Sequence, residues 1–194
     1  MIIKLEPEIL QAVEKPARYT GHELNAVHKA WESTLCHFAL ALPDVYEVGM
    51  SNLGLKILYE VLNAREDTAC ERVYAPWIDM EEIMRQRQIP LFSLESFHAI
   101  KEFDFLGFSL QYEMIYSNVL NMLDLAGIPI WSRDRGENDP LIVGGGPCVY
   151  NTEPIADFFD FFIVGEGEEL ICEVVEVFRT WQGDGNPEGR QGLL

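Results

Sequence analysis

The 194 residues include only 14 lysines and arginines against 32 aspartates and glutamates, a formal net charge of −18 at pH 7. A surface so short of cations repels a phosphate backbone over most of its area, which argues against direct nucleic-acid binding. Long apolar runs are missing as well, because none approaches the ~20 residues a bilayer requires. Met1–Glu14 lacks the basic, apolar and small-residue succession of a secretory signal. Cysteine is scarce: Cys36, Cys70, Cys148 and Cys172 are scattered, with no pair at metal-knuckle or redox spacing. They read as reduced core thiols of a cytoplasmic protein. The four histidines, His22, His28, His37 and His98, form no ligand spacing either, so a structural role is the default for each.

What is present is a good deal of apolar sequence, 48% of residues against 24% charged. A chain of this length buries roughly 70% of the surface its unfolded form exposes, enough for one domain. Residues 1–35, including "EKPARYTGHELNAVHKAW", have no clean period and read as an N-terminal extension with a short helix, packed on the main fold. From Cys36 the pattern changes. "HFALAL" is a short apolar run suited to a strand buried on both faces, and "SNLGLKILYEVLNA" carries Leu53, Ile57, Leu58, Val61 and Leu62 at helical spacing, capped by Ser51 or Asn52.

The alternation recurs. "ERVYAP", "FDFLGFSLQ", "IPIW", "DPLIVGGG" and "FFIVGEG" read as strands, interleaved with helices at "WIDMEEIMRQRQ", "MIYSNVLNMLDLAG", "EPIADFF" and "EELICEVVEVFRTW". Such a series predicts an α/β domain over 36–181 with a doubly wound, mostly parallel sheet of the Rossmann or flavodoxin-like type. The remaining 182–194, "GDGNPEGRQGLL" after Gln182, is polar and Gly-rich and reads as a linker or frayed tail.

Doubly wound sheets bind ligands at the carboxyl ends of their strands. Four loops there are unusual in composition: "PDVYEVG", "SLQYEMIYSN", "GGGP" and "GEGEE". Each has a plainer reading, since Gly144, Gly145 and Gly146 or Gly165 and Gly167 can simply turn the chain, and Tyr46, Tyr112 and Tyr116 can be core edges. Their convergence on one rim, with small residues, hydroxyls and aromatics together, points instead to a flat ligand. Three common occupants fail. A P-loop is excluded because Leu55 precedes Lys56 without the required glycine; "GMSNLG" lacks a dinucleotide fingerprint; Ser109 and Gly144 stand where a receiver domain needs Asp and Lys. No nucleophile and base, and no carboxylate pair, suggests that this chain is catalytic alone.

"DVYEVG", "GFSLQY" and "VGGG" resemble the signature of cobalamin-binding domains, Asp-x-His-x-x-Gly followed by a Ser and then a Gly-Gly, with Tyr46 in the place of the His. The resemblance implies that Asp44, Tyr46, Gly49, Ser109, Gly144 and Gly145 occupy cofactor-binding positions; Tyr112 and Gly165 complete the candidate set from the same rim. "KPARYTG", "PDVYEVGMSNLGLKILYEVLN", "ERVYAPWIDME" and "GGGPCVYNTEPIADFFDFFIVGEGEE" more specifically resemble the N-terminal domain of a family of uncharacterised bacterial radical S-adenosylmethionine proteins. There a barrel downstream holds a [4Fe–4S] cluster on Cys-x-x-x-Cys-x-x-Cys and binds S-adenosylmethionine. No such triplet exists here, so the resemblance covers the accessory domain, with the barrel as its expected partner.

The tyrosine bears on chemistry. A phenol binds metals well only as phenolate, so Tyr46 is a poor ligand for cobalt compared with imidazole. Three outcomes stay open: cobalamin bound with no protein ligand to cobalt, a slot filled by Tyr46 in a domain that positions substrate, or an acidic protein-interaction module.

Overall fold

In a computed structural model that describes all 194 residues, the apolar run becomes strand β1 (Cys36–Leu42), an inner strand of a five-stranded sheet. The other strands are β2 (Thr68–Tyr74), β3 (Phe105–Ser109), β4 (Leu141–Gly145) and the two-residue β5 (Phe161–Phe162). All pair in parallel, in the order β2-β1-β3-β4-β5. Leu40 sets the register at the centre, opposite Arg72 on one side and Gly107 on the other. This is the flavodoxin-like order, in which chain direction reverses its progress across the sheet between β1 and β3.

Side-chain alternation along β1 assigns the two faces. Phe38, Leu40 and Leu42 meet helices α3 (Leu53–Asn63) and α6 (Gly167–Gly183) through Leu55, Tyr59, Leu62, Ile171, Val175 and Phe178. Ala39 and Ala41 face α4 (Ile78–Arg87) and α5 (Tyr116–Ala126), where Met80, Met84, Val119, Met122 and Leu123 fill the space that two alanines leave. Each large side chain so buried is worth about 1.5–3 kcal/mol. Asn52 is the cap of α3, its Oδ1 accepting from the Leu55 amide at 2.8 Å; the Ser51 hydroxyl donates instead to the Val48 carbonyl.

The N-terminal segment packs on this frame. Helix α1 (Pro7–Ala12) places Ile9 in the α4/α5 layer together with Val13 and Tyr19. Two expectations are corrected. "IPIW" forms no strand, because Pro129 removes a ladder donor and the segment runs into a 3₁₀ turn at Ser132–Asp134. The tail is not frayed: α6 continues to Gly183, and helix α7 (Gly189–Leu193) turns Arg190 inward to donate to the Asp139 and Pro140 carbonyls and to Asp160 at 2.7 Å. Asp160 also takes Arg135 at 3.0 Å, so two guanidinium groups share one buried carboxylate. That attachment had no signature in hydrophobic period. No helix is long and apolar enough to cross a membrane.

Candidate functional site

The loop after β1 turns straight into helix α2 (Tyr46–Gly49). Asp44 Oδ1 accepts from the Val45 amide at 2.7 Å, and Oδ2 accepts from the Tyr112 hydroxyl at 2.6 Å. One carboxylate thereby ties the β1 loop to the β3 loop. Tyr46 turns toward β2. Its hydroxyl donates to Glu23 Oε1 at 2.5 Å and its ring meets Tyr74 edge-on, 5.7 Å between centroids. Burial, reinforced by the Glu23 carboxylate, pushes the Tyr46 phenol up to about 12. The oxygen is therefore neutral, and it is directed at Glu23 rather than into the crevice described below.

Glu23 belongs to a buried ionic chain. It also accepts from Arg72, whose Nε donates to Glu95 Oε1 at 2.6 Å and whose guanidinium lies 4.9 Å from the Tyr59 ring centroid. The Arg72 amide donates to the other Glu95 oxygen at 2.7 Å. Glu47 is clamped from outside by Lys15 and by Arg18, each at 2.9 Å, and the Arg18 guanidinium above all holds its carboxyl down at about 2. Gly49 completes this region: a Cβ there would run into the Tyr74 ring, so the glycine is needed for packing. Sequence reasoning missed Arg18, Glu23 and Arg72; their only signal was isolated charge in an aperiodic segment and in an otherwise apolar strand.

On the other side of β1 the molecule is open. A crevice of about 190 Å³ lies between α3 and α6 at the carboxyl ends of β1, β3 and β4. Gly54, Gly107, Gly145, Gly146, Gly165 and Gly167 all border it, over a floor of Phe38, Leu40 and Val143. No atom lies within 4 Å of where a Gly145 Cβ would stand, whereas Gly146 (φ +97°) and Gly165 (φ +127°) hold backbone conformations that other residues rarely adopt. Ser109 is the hydroxyl at the edge. It accepts from Gln111 Nε2 at 2.7 Å, which leaves its own proton free to donate. Glu168 and Glu169 occupy the first turn of α6, with Glu166 before it; this ring of carboxylates disfavours an anion at a helix end that would otherwise attract one.

The eight residues singled out from the sequence thus divide. Ser109, Gly145 and Gly165 line the crevice together. Gly144 does not: the rings of Phe162 and Phe159 occupy the space beside it, and its neighbour in the ladder is Phe108. Asp44, Tyr46 and Gly49 form the packed region beside β2, and half-exposed Tyr112 reaches across to it. No group of three or more His, Cys, Asp or Glu side chains is arranged to hold a metal ion. Cys36 and Cys70 are buried thiols whose ionisation burial pushes well upward. His37 is stacked on Trp31 at 3.8 Å and bonded to Asp104, a structural position.

A family model described as radical SAM proteins, N-terminal, matches residues 54–194. The chain belongs to this radical SAM N-terminal family. The match contains Ser109, Tyr112, Gly144, Gly145 and Gly165 and begins after Asp44, Tyr46 and Gly49. The chain is also similar to the uncharacterised protein MJ0966 of Methanocaldococcus jannaschii, 30% identical over 142 residues, which is 71% of this chain and 26% of that relative. It therefore spans about a quarter of the relative's length. No solved structure matches this member of the radical SAM N-terminal family.

Proposed function

We propose that this domain holds a flat, uncharged portion of a cofactor beside the radical SAM barrel of its parent protein, and that the cofactor is cobalamin, with the neutral base of its nucleotide tail seated in the crevice and the tail's phosphate outside it. The observation that carries the reading is the unfilled glycine-lined slot at the switch point of the sheet, with Ser109 as a free donor at its edge. Gly145 and Gly165 would admit the ring, Phe38, Leu40 and Val143 would lie against its apolar face, and Ser109 would donate to an acceptor on it. At about 190 Å³ the slot is below the ~300 Å³ of a pocket for a complete drug-sized ligand, which suits one ring system of a larger molecule. Cobalamin, when bound, supplies a cobalt centre for methyl carriage or radical chemistry completed elsewhere in the parent. Tyr46 is bonded to Glu23, so cobalt would receive no ligand from it. The iron–sulfur cluster and S-adenosylmethionine belong in this reading to the barrel, because the cysteines here are dispersed.

Incubation with hydroxocobalamin followed by desalting tests the proposal. Corrin absorbance is expected to co-elute with the wild-type chain and with Tyr46→Phe, and to be lost from Gly145→Leu, whose side chain fills the slot. If the wild-type chain retains no corrin, the cobalamin reading fails. The alternative, a domain whose motif now only packs and positions, is favoured by one observation: Gly49 and Gly144 are already occupied by the chain's own Tyr74 and Phe162 rings.

A further inference from the structure

Behind Tyr46, away from the crevice, lies a second and much smaller space of about 20 Å³, bordered by Arg18, Tyr19, Tyr46, Tyr74, Met84, Leu91 and their neighbours. Two of its wall residues carry polar atoms with no hydrogen-bond partner: Arg18 Nη1 and the Tyr74 hydroxyl, each shielded from solvent. The residues are 8% and 7% exposed. An unpaired buried donor or hydroxyl costs about 1–3 kcal/mol, which a fold seldom tolerates twice in one place. The remaining Arg18 nitrogens are satisfied, since Nε and Nη2 both donate to Glu47 at 2.9 Å.

We infer that this cavity is a binding site for one ordered water molecule bridging Arg18 Nη1 and the Tyr74 hydroxyl. The volume matches, because a single water needs roughly 10–15 Å³ of such space and two to four polar partners. Charge argues for water over a halide: Glu47 already neutralises Arg18 and binds Lys15, and Arg72 lies between Glu23 and Glu95. The water accepts from Arg18 Nη1 and makes its second bond with Tyr74 Oη.

The bridge has a structural consequence for the Asp44–Gly49 stretch. Glu47 binds Arg18, Arg18 reaches Tyr74 through the water, and the Tyr74 ring packs on Gly49 and meets Tyr46 edge-on. The chain of contacts starts and ends on α2, and the water is its one non-protein link. It explains why an arginine of the N-terminal segment is turned inward with a free nitrogen.

Two measurements on the 194-residue chain test this. A high-resolution crystal structure is expected to show one solvent peak about 2.7–3.2 Å from both Arg18 Nη1 and Tyr74 Oη; an empty cavity would overturn the proposal, and so would an anomalous peak at that position after a bromide soak. Tyr74→Phe removes only the hydroxyl and keeps the ring against Gly49. Its urea midpoint is expected to fall below that of the wild type, because a bridged group is lost. An unchanged or raised midpoint is what deletion of an unpaired hydroxyl produces, and would show that no water is bound there.

Discussion

The rim of this sheet has two halves that differ in what fills them. Beside β2, the space at the strand ends is occupied by the protein itself: Tyr46, Tyr74, Arg72, and Arg18 and Glu23 from the N-terminal segment interlock, and Gly49 is small because a ring lies against it. Beside β3 and β4 the corresponding space is left open, and Gly145 is small with nothing near it. Glycine at a strand end is thus no single signal. One half has the physics of a core and the other is an open slot, and the family match covers β2, β3 and β4 but begins past β1 and the Asp44–Gly49 loop.

The sharpest way to break this contrast is to attack the ionic chain in the packed half. Arg72→Met leaves Glu95, which is 1% exposed, and Glu23 without their shared cation. Removing one partner of a buried pair typically costs about 3–5 kcal/mol, so urea unfolding is expected to show a loss of that size; a change below about 1 kcal/mol would mean that the network is not buried in solution. The glycines supply a smaller, paired test. Gly49→Ala forces a methyl into the Tyr74 ring and is expected to cost about 1–3 kcal/mol through overpacking. Gly145→Ala meets no atom and is expected to stay within about 0.5 kcal/mol of wild type. Equal costs at the two positions would erase the distinction between the halves.

The open half was the more legible from sequence. Alternating apolar strands and helices specify a parallel sheet, and the loops at its carboxyl ends are then neighbours wherever they lie in the chain, which is why the sequence groups Ser109, Gly145 and Gly165, although the same reasoning adds Gly144 and the Asp44–Gly49 loop, which lie outside the crevice. The two helical layers follow from the same periodicity; the order β2-β1-β3-β4-β5 does not, because periodicity does not say which strands are neighbours. The packed half was not legible in that way. Arg18 and Glu23 come from a segment without period, and their roles depend on long-range pairing with Glu47 and with Arg72, separated from them by 29 and 49 residues. The direction of the Tyr46 side chain likewise depends on Glu23, which no local pattern marks. The tail misled for the same reason: Arg190 is held by Asp160, 30 residues away, in a stretch whose glycines and polar residues suggest a linker.

The smallest expected effect concerns the outer clamp on α2 and depends on pH. Glu47 has a usual carboxyl value of 4.5 when unfolded, and Arg18 and then Lys15 hold it down at about 2 in the fold. As pH falls, the unfolded chain takes up a proton at this position before the folded one does, so the stabilisation is complete above about 4.5 and is lost between there and about 2. Because the Glu47 side chain is 41% exposed, solvent screening holds the effect to about 1 kcal/mol or less. Glu47→Gln should therefore unfold at a slightly lower urea concentration than wild type at pH 6, and the gap should close as both are titrated toward pH 2. A gap that stayed constant over that range would assign the stabilisation to the shape of the side chain and its neutral hydrogen bonds, and the clamp would then be a matter of packing, like the rest of its half of the rim.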